Sequence, residues 1–246
     1  MGEAMYQQTN PNDLVNASEG IASQAVRRVE PVDSDGISLE HLVADPYYNS
    51  IKPLFDKLFA VLTILFCAPL FCAIAVAIKL DSPGPVLFRQ ERTGYQGRRF
   101  TMYKFRTMFI DAEARRQELM DQNMYGPDAF DFKLKNDPRI TRVGRFLRKT
   151  SLDELPNFFN VLRGELSVCG PRPTSFGVEV YGERHKCRLA VRPGITGLWQ
   201  ISGRSDVSFD QRVELDIQYI KSISLLTDTR IILLTVWQCL RPRGAY

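Results

Sequence analysis

LFAVLTILFCAPLFCAIAVAI, the sequence of residues 58–78, contains no charged side chain in 21 positions. About 20 apolar residues are enough to cross the hydrocarbon core of a bilayer, so this segment predicts a membrane helix. Pro69 stands at its middle, where it removes a backbone donor and crowds the carbonyl of Leu65. Three arrangements fit: a helix that bends at Pro69 and returns to the face it entered, a kinked spanning helix, and, less readily at this length, a buried core helix.

Both flanks of this segment are basic. The flanking cations are Lys52 and Lys57 before it and Lys79, Arg89 and Arg92 after it. Positive residues mark the cytoplasmic side of a membrane segment, so two basic flanks favour a helix whose ends lie on one face. The sequence therefore predicts a re-entrant membrane helix over residues 51–80, with Lys52, Lys57 and Lys79 at lipid head groups. A bend at membrane depth frees a backbone carbonyl, which needs a partner.

Charge is divided unequally along the 246 residues. Residues 1–50 carry two basic and eight acidic side chains, whereas the remainder carries 30 and 20. The first part is predicted to be a disordered acidic segment. The basic remainder predicts an anionic partner: a phosphate, an acidic lipid head group or nucleic acid. Nucleic acid is disfavoured because no base-stacking motif is present.

The cysteines predict neither a metal cage nor a disulfide framework. None of the five stands in a Cys-x-x-Cys pair, and only two histidines could complete a zinc site. This composition fits a reducing compartment. The sequence also contains no P-loop, no Rossmann glycine pattern and no serine-hydrolase elbow.

Apolar spacing predicts a mixture of helices and short strands. The helix at its C-terminal end is too short to span a bilayer and is either interfacial or part of the core. The predicted elements are strands at 86–88 and 100–103 around a turn at 94–97, and helices at 111–120, 155–162, 209–221 and 229–240.

Asp153 and Glu154 follow a strongly basic region. Residues 133–149 contain seven Lys or Arg side chains against one Asp. The pair also precedes the predicted helix at 155–162, whose free amide groups and dipole favour an anion. Such surroundings allow a polyanionic phosphate to approach a carboxylate that would otherwise repel it. Two simpler interpretations stay open: a solvated basic helix with incidental acids, and a capping box formed by Ser151 and Glu154.

Four blocks of sequence together resemble one protein family. Any one block is weak, but four in this order are specific. They are the apolar run with Pro69 followed by DSPGPVLFRQERTG at 81–94, KFRTM at 104–108, SLDELPN through GPRP at 151–173, and RPGITGLWQISGR at 192–204. Over residues 51–246 the chain resembles the bacterial sugar transferases, the monotopic polyprenyl-phosphate phosphoglycosyl transferases. It is most similar to the short exopolysaccharide-initiating subgroup, which includes the galactosyl-1-phosphate transferase of succinoglycan-type pathways.

The resemblance implies both a reaction and a fold. A sugar-1-phosphate would pass from a UDP-sugar to undecaprenyl phosphate at the bacterial inner membrane, releasing UMP and initiating exopolysaccharide or other surface polysaccharide synthesis. The implied fold is a small α/β catalytic domain, rich in helices, with interfacial amphipathic helices and a re-entrant membrane helix. Residues 81–246 would be the cytoplasmic catalytic domain. The family's usual serine before the membrane proline is Ala68 here, which cannot bond the freed carbonyl as serine would.

The resemblance also implies roles for individual residues. Asp153 matches the nucleophile that attacks the sugar-bearing phosphorus, and Asp153 and Glu154 are expected to hold Mg²⁺. The basic side chains expected at the phosphates are Lys104, Arg106, Arg145, Arg148 and Arg172. Pro171 and Arg172 match the nucleotide-side loop. The residues expected to close the pocket are Arg192, Trp199, Gln200 and Arg204. For Arg148 a structural ion-pair role is the alternative, and for Trp199 a core position is favoured over a pocket role.

Two other functions stay open on the sequence. A catalytically silent membrane adaptor of a polysaccharide assembly complex would release no UMP from any UDP-sugar. A polyprenyl-linked glycosyltransferase would release UDP rather than UMP. No motif identifies the hexose, and the sequence allows a homo-oligomer without requiring one.

Overall fold

The computed structural model describes residues 42, 45–124, 134, 136–202 and 209–240. The predicted disordered segment at 1–50 lies almost wholly outside these residues, and Arg204 lies outside them too. The helices within them are α1 (Lys52–Asp81), α2 (Ala114–Glu118), α3 (Arg142–Thr150), α4 (Asn157–Leu162), α5 (Glu183–Lys186), α6 (Leu198–Ser202), α7 (Phe209–Lys221) and α8 (Leu225–Leu240). The strands are β1 (Leu87–Thr93), β2 (Arg99–Phe105), β3 (Ser167–Cys169) and β4 (Gly194–Thr196). The described fold is therefore rich in helices, with short strands, as predicted.

Helix α1 continues through Pro69 and follows a π-helical turn at Tyr47–Ile51. The combined segment has 35 residues, and its most apolar window has a mean hydropathy of 2.7. It is long and apolar enough to cross a membrane. Only 11% of that window is buried within the fold. Its outer surface is suited to lipid, and the re-entrant arrangement stays a prediction.

The side chains of α1 divide between the fold and its surroundings. Phe66 and Leu65 are 87% and 67% exposed. Ala60 is buried in the main core, and Ile78 packs in a second cluster with Leu147 of α3. The helix is thus anchored on the domain by one part of its surface while large apolar side chains stay uncovered.

Lys52 is not at a lipid head group, which corrects its predicted role. Its Nζ lies 2.6 Å from Oδ2 of Asp228 in α8, and its side chain is only 4% exposed. The hydroxyls of Tyr47 and Tyr219 donate to the same carboxylate, each at 2.7 Å. Lys57, farther along α1, is exposed. The buried pair joins the beginning of α1 to α8.

The turn that follows α1 is held by residues from β2 and α3. Arg106 donates from Nη2 to the carbonyl of Ser82 at 2.8 Å, and from Nη1 to the carbonyl of Pro83. Oδ2 of Asp81 accepts the backbone N–H of Val143, in the first turn of α3, at 2.9 Å. Arg106 is buried and donates to these carbonyls, which gives it a structural role, and its role at the substrate phosphates stays a prediction.

Strands β1 and β2 form an antiparallel hairpin with Leu87 opposite Phe105. Both predicted strands are confirmed, and each extends to seven residues. The turn lies within the predicted 94–97, where Gln96 and Gly97 have left-handed backbone, with φ of 53° and 76°. Glycine takes that conformation without a steric penalty.

Strands β3 and β4 are parallel neighbours. The backbones approach so closely that a Cβ on Gly170 would lie 2.8 Å from the nitrogen of Gly194. The N–H of Gly194 donates to the carbonyl of Pro171 at 2.9 Å. The close glycine contact therefore places Pro171 and Arg172 beside the beginning of β4.

Two of the four helix predictions need correction. Residues 111–120 do not form one helix: a 3₁₀ turn at Ile110–Ala112 precedes the short α2. Because the segment has no continuous apolar face, little packing supports a longer helix. Helix α8 begins at Leu225, four residues before the predicted start, and the hydroxyl of Ser224 accepts the N–H of Thr227 at 3.2 Å. The predicted helix at 209–221 matches α7.

Helix α8 exposes more apolar surface than it buries. Asp228 and Ile231 are its buried residues, whereas Leu226, Leu233 and Leu240 are exposed. A core helix would cover such side chains. The distribution favours the interfacial interpretation of this helix.

Candidate active site

Asp153 and Glu154 lie in one 3₁₀ turn, Leu152–Glu154, between α3 and α4. Ser151 ends α3 with a left-handed backbone, φ 58°, and its N–H donates to the carbonyl of Arg148 at 3.2 Å. The Ser151 side chain makes no capping hydrogen bond, so the capping box is wrong. The two carboxylates lie immediately before α4, as the sequence predicted.

Glu154 is held between two cations. Nζ of Lys104 lies 2.8 Å from its Oε1, and Nη1 of Arg172 donates to its Oε2 at 3.1 Å. Nη2 of Arg172 contacts Oε1 as well, which makes the ion pair two-pronged. Burial alone would raise the pKa of Glu154, but Arg172 and Lys104 outweigh it and hold the pKa well below its usual range. Glu154 is therefore a fixed negative charge at any physiological pH.

Asp153 has a different environment from its neighbour. It is 9% exposed, and its carboxylate accepts no hydrogen bond from the part of the chain that the structure describes. Burial and the adjacent Glu154 raise its pKa, while Lys104, Arg148 and Arg172 oppose that rise. A desolvated carboxylate with unoccupied oxygens and cations nearby is suited to nucleophilic attack on a phosphate.

Asn160 of α4 positions the strand that carries Lys104. Its Oδ1 accepts the N–H of Tyr103 at 3.2 Å, and its Nδ2 donates to the carbonyl of Thr101 and to Oε2 of Glu165, both at 2.7 Å. The side chain is fully buried. These bonds fix β2 against α4, so that Lys104 reaches the turn before that helix.

A cavity of about 700 Å³ opens beside Glu154 and Arg172. Its walls are mainly apolar and include residues of all the described helices except α2 and α5, together with β3 and β4. Gln200, predicted to close the pocket, lines the cavity, and so does Trp199, for which the sequence favoured a core position. The guanidinium carbon of Arg212, also in the lining, lies 5.2 Å from the centre of a Trp199 ring. The lining thus combines the charged side chains of Glu154 and Arg172 with apolar side chains from α1 and α8.

Comparison with known proteins gives the same assignment as the motifs. Residues 47–242 match the family described as bacterial sugar transferase. The chain belongs to that family.

Relatives in the family have names that agree with the predicted subgroup. The galactosyl transferase CpsE of Streptococcus agalactiae is 44% identical over 249 residues, covering 95% of this chain and 55% of that protein. The undecaprenyl-phosphate galactose phosphotransferase of Salmonella typhimurium is 42% identical, covering 80% of this chain and 42% of that protein. The exopolysaccharide production protein ExoY of Rhizobium meliloti is 42% identical, covering 82% and 90%. The chain thus spans about half the length of the first two relatives and most of ExoY.

The structure separates the predicted phosphate-binding residues of this sugar transferase into groups. Lys104 and Arg172 contact Glu154, and the charge of Arg148 acts on Asp153. Nε of Arg148 also donates to the hydroxyl of Thr107 at 2.9 Å, so the same side chain is partly structural. Arg145 is exposed on α3. Arg192 lies beside Tyr48, and its backbone N–H donates to the Tyr48 hydroxyl at 3.3 Å.

Sequence reasoning missed three residues that support the site. Asn160 fixes β2, as described, and Arg188 with Asp216 forms a buried ion pair behind Arg172. A signal for Asp216 was present, since it shares the apolar face of α7 with Val213 and Ile217 at helical spacing. A carboxylate on an apolar face needs a buried partner.

The carboxylate turn can hold only part of a metal site. No group of three or more His, Cys, Asp or Glu side chains meets at one point among the described residues. Asp153 offers free oxygens, whereas those of Glu154 already contact cations. Mg²⁺ commonly takes only one or two protein carboxylates and obtains its other ligands from water and substrate phosphates. The donor set therefore fits Mg²⁺ that is bound together with a diphosphate substrate.

Proposed function

We propose that this chain transfers a hexose-1-phosphate from a UDP-sugar to undecaprenyl phosphate by way of an aspartyl-phosphosugar intermediate. The proposal places the catalytic domain on the cytoplasmic face of the bacterial inner membrane, where UDP-sugar and lipid acceptor meet. Its product initiates an exopolysaccharide or another surface polysaccharide.

The contrast between Asp153 and Glu154 carries this proposal. Glu154 is neutralised by Lys104 and Arg172, whereas the neighbouring Asp153 keeps its oxygens free of hydrogen bonds from the described residues. The pair is adjacent in sequence but has opposite pKa shifts, which is typical of two carboxylates with different roles in one active site. Asp153 is assigned as the nucleophile and Glu154 as the group that orients the cations.

The first step forms a bond between a carboxylate oxygen of Asp153 and the sugar-bearing phosphorus. The bond from that phosphorus to the bridging oxygen breaks, and UMP leaves with the electron pair. In the second step a phosphate oxygen of undecaprenyl phosphate attacks the same phosphorus and displaces the Asp153 carboxylate. The product is a diphosphate-linked lipid, and the enzyme returns to its initial state.

Charge neutralisation is the main task of the surrounding residues. Arg172 and Lys104 lie against Glu154, and Arg148 is near enough to favour the ionised form of Asp153. Together they offset the repulsion between a carboxylate and a diphosphate. When Mg²⁺ is bound by Asp153 or Glu154 together with the substrate, it supplies further charge neutralisation at the phosphate oxygens.

The cavity supports a lipid acceptor. Phe59 and Thr63 of α1 and Val236 and Leu240 of α8 contribute to its walls, and both helices also expose large apolar side chains. Arg172 also lines it. A polyprenyl phosphate needs an apolar wall for its isoprene units and a cation for its phosphate. The cavity lining offers both.

The membrane helix is proposed to be re-entrant. Its basic flanks favour having both ends on one face, and Pro69 removes a hydrogen bond near its middle. Cysteine substitution tests this directly, because Lys57→Cys and Lys79→Cys would both react with a membrane-impermeant maleimide only from the cytoplasmic side. Labelling of the two positions from opposite sides would show a spanning helix instead.

The reaction is tested with purified wild-type protein, undecaprenyl phosphate, Mg²⁺ and a panel of UDP-sugars. Release of UMP and formation of a lipid-linked sugar diphosphate are expected, and rapid quenching with labelled UDP-sugar should trap a protein adduct. Asp153→Asn should abolish both, while the exposed Asp210→Asn serves as a matched control with normal turnover. Release of UDP would instead indicate a glycosyltransferase, and the absence of any nucleotide release would favour the adaptor.

A further inference from the structure

A buried ion pair lies behind the segment that carries Arg172. Nη2 of Arg188 lies 2.6 Å from Oδ2 of Asp216, and both side chains are almost completely buried. Arg188 belongs to a 3₁₀ turn after α5, and Asp216 is on α7. Burial raises the pKa of Asp216 to about 6, against the lowering effect of Arg188. The carboxyl group is therefore ionised at neutral pH and balances the buried guanidinium.

The same nitrogen of Arg188 reaches the active-site segment. Nη2 donates to the backbone carbonyl of Arg172 at 2.9 Å. The guanidinium of Arg172 in turn makes the two-pronged contact with Glu154, beside Asp153. One buried guanidinium thus joins α7 to the main chain of a residue whose side chain is at the reaction site.

Bonds from several elements fix the main chain on both sides of Arg172. The segment 170–177 lies between β3 and a 3₁₀ turn and contains no helix or strand. Its carbonyls at Pro171 and Thr174 accept N–H groups from Gly194 and Thr93, each at 2.9 Å. The carbonyls of Pro173, Ser175 and Phe176 accept hydrogen bonds from Arg92 and Arg99. Arg188 adds a charged hydrogen bond to the carbonyl of Arg172 itself.

We infer that Asp216 is a positioning residue for catalysis, acting through Arg188 on the backbone of Arg172. This role rests on the proposed function, since it assumes that Arg172 neutralises substrate phosphate. Asp216 holds the Arg188 guanidinium in the one place from which it can donate to that carbonyl. Loss of the carboxylate leaves Arg188 as an uncompensated buried charge, which moves away from Arg172 or draws in water.

The test measures kcat and KM for the UDP-sugar that the wild-type protein uses, together with the unfolding temperature. Asp216→Asn should lower kcat by roughly tenfold to a hundredfold, the effect of a displacement of about 1 Å at a reacting group. KM should change much less. A purely structural role would reduce the folded fraction and leave kcat per folded molecule unchanged.

A double-mutant cycle with Arg172 shows whether the effect passes through that residue. In an Arg172→Ala background, Asp216→Asn should reduce kcat by less than about threefold, because the group it positions is absent. An effect that stays at full size in this background would overturn the inference. So would a folded Asp216→Asn protein with kcat within about twofold of wild type.

The chain provides a matched control and a second variant. Oε2 of Glu214, also on α7, lies 2.6 Å from Nη2 of Arg184 of α5, but this pair is exposed. Glu214→Gln should leave kcat unchanged. If Asp216→Asn does not fold, Arg188→Lys is used instead. It keeps a positive charge beside Asp216 but lacks the planar guanidinium that donates to Arg172. We expect the same loss of kcat, and again a smaller loss in the Arg172→Ala background.

Failure of the proposed function gives a different result. Wild-type protein that releases no UMP from any UDP-sugar would overturn the function and this role together. If the wild-type protein turns over a UDP-sugar and neither Asp216→Asn nor Arg188→Lys lowers kcat, only the positioning role is overturned.

Discussion

Nζ of Lys104 lies 2.8 Å from Oε1 of Glu154, although 50 positions separate the two residues in the chain. Lys104 is on β2 and Glu154 is in the turn before α4, so the contact depends on packing between the hairpin and that helix. It gives the two neighbouring carboxylates different electrostatic surroundings. Glu154 is paired, and Asp153 is desolvated beside it.

Replacing Lys104 should impair chemistry more than folding. Lys104→Met removes one of the two cations on Glu154 and one of those that favour ionised Asp153. We expect kcat to fall by on the order of a hundredfold, comparable to the removal of one electrostatic donor from an active site. Lys149→Met, at an exposed position of α3, is the control and should be close to wild type. Equal activity of the two variants would remove Lys104 from the mechanism.

The rate should depend on the ionisation of Asp153. Burial and Glu154 raise the pKa of this carboxyl, and only its ionised form attacks phosphorus. We expect kcat to decline with falling pH above the ordinary range of an aspartate, and Lys104→Met to move that decline to higher pH. A pH profile of single-turnover adduct formation measures both. A decline at or below the ordinary aspartate range would contradict the assigned environment of Asp153.

Asp153→Asn should not destabilise the protein at neutral pH. A raised pKa means that the folded state binds the proton more tightly than the unfolded chain does. As the pH rises from the pKa of the unfolded chain to that of the folded state, this carboxyl therefore lowers the free energy of unfolding. The neutral amide of asparagine does not titrate, so the Asp153→Asn protein lacks this loss of stability. Thermal unfolding at several pH values should show a stability gain at neutral pH that disappears at acidic pH, where Asp153 is protonated in both states. Marked destabilisation of Asp153→Asn at neutral pH would refute the prediction.

Gly144 should not tolerate a larger side chain. A Cβ at this position of α3 would overlap the carbonyl oxygen of Thr107 and lie 2.7 Å from its carbonyl carbon. Because the contact is with backbone, α3 would have to move, and Gly144→Ala should lower the free energy of unfolding by about 1–3 kcal/mol. Gly182→Ala is the matched control, since its nearest contact would be a His185 ring atom at 3.6 Å. Chemical denaturation in detergent distinguishes them, and equal stabilities would contradict the packing described.

Lys52 should stabilise the fold rather than the attachment to lipid. Lys52→Met leaves Asp228 buried without its cation, which should lower the free energy of unfolding by about 3–5 kcal/mol. Lys57→Met, on the exposed part of the same helix, should change stability little and affect binding to anionic vesicles instead. The two variants are compared by thermal unfolding and by vesicle co-sedimentation. A stable Lys52→Met protein with weakened vesicle binding would restore the head-group role.

Apolar runs and apolar spacing predicted secondary structure correctly where the pattern lay within one continuous segment. The apolar run at 58–78 predicted the long helix, and apolar spacing predicted α7 with its observed ends. The segment at 111–120 was wrongly predicted because its helical composition has no apolar face to pack. The family blocks identified the carboxylate turn because catalytic residues lie together in short motifs.

The partners of buried charges could not be predicted in this way. Lys52 and Lys57 both precede the apolar run by a few residues, yet Lys52 is paired with Asp228 and Lys57 is exposed. Arg106 belongs to a family block but holds the turn after α1. In each case the partner is distant in the chain, and only the packing of separate elements brings it close.

The sequence alone determined that this chain has a lipid-suited helix, a basic domain and a carboxylate pair before a helix, because apolar periodicity, charge and turn chemistry are local properties. Only the tertiary structure decided which carboxylate is neutralised and which keeps its oxygens free of partners in the described chain. The physical reason is that a pKa depends on desolvation and on charges within a few ångströms. For Asp153 and Glu154 those charges come from β2, from α3 and from the segment after β3, which meet only in the folded chain.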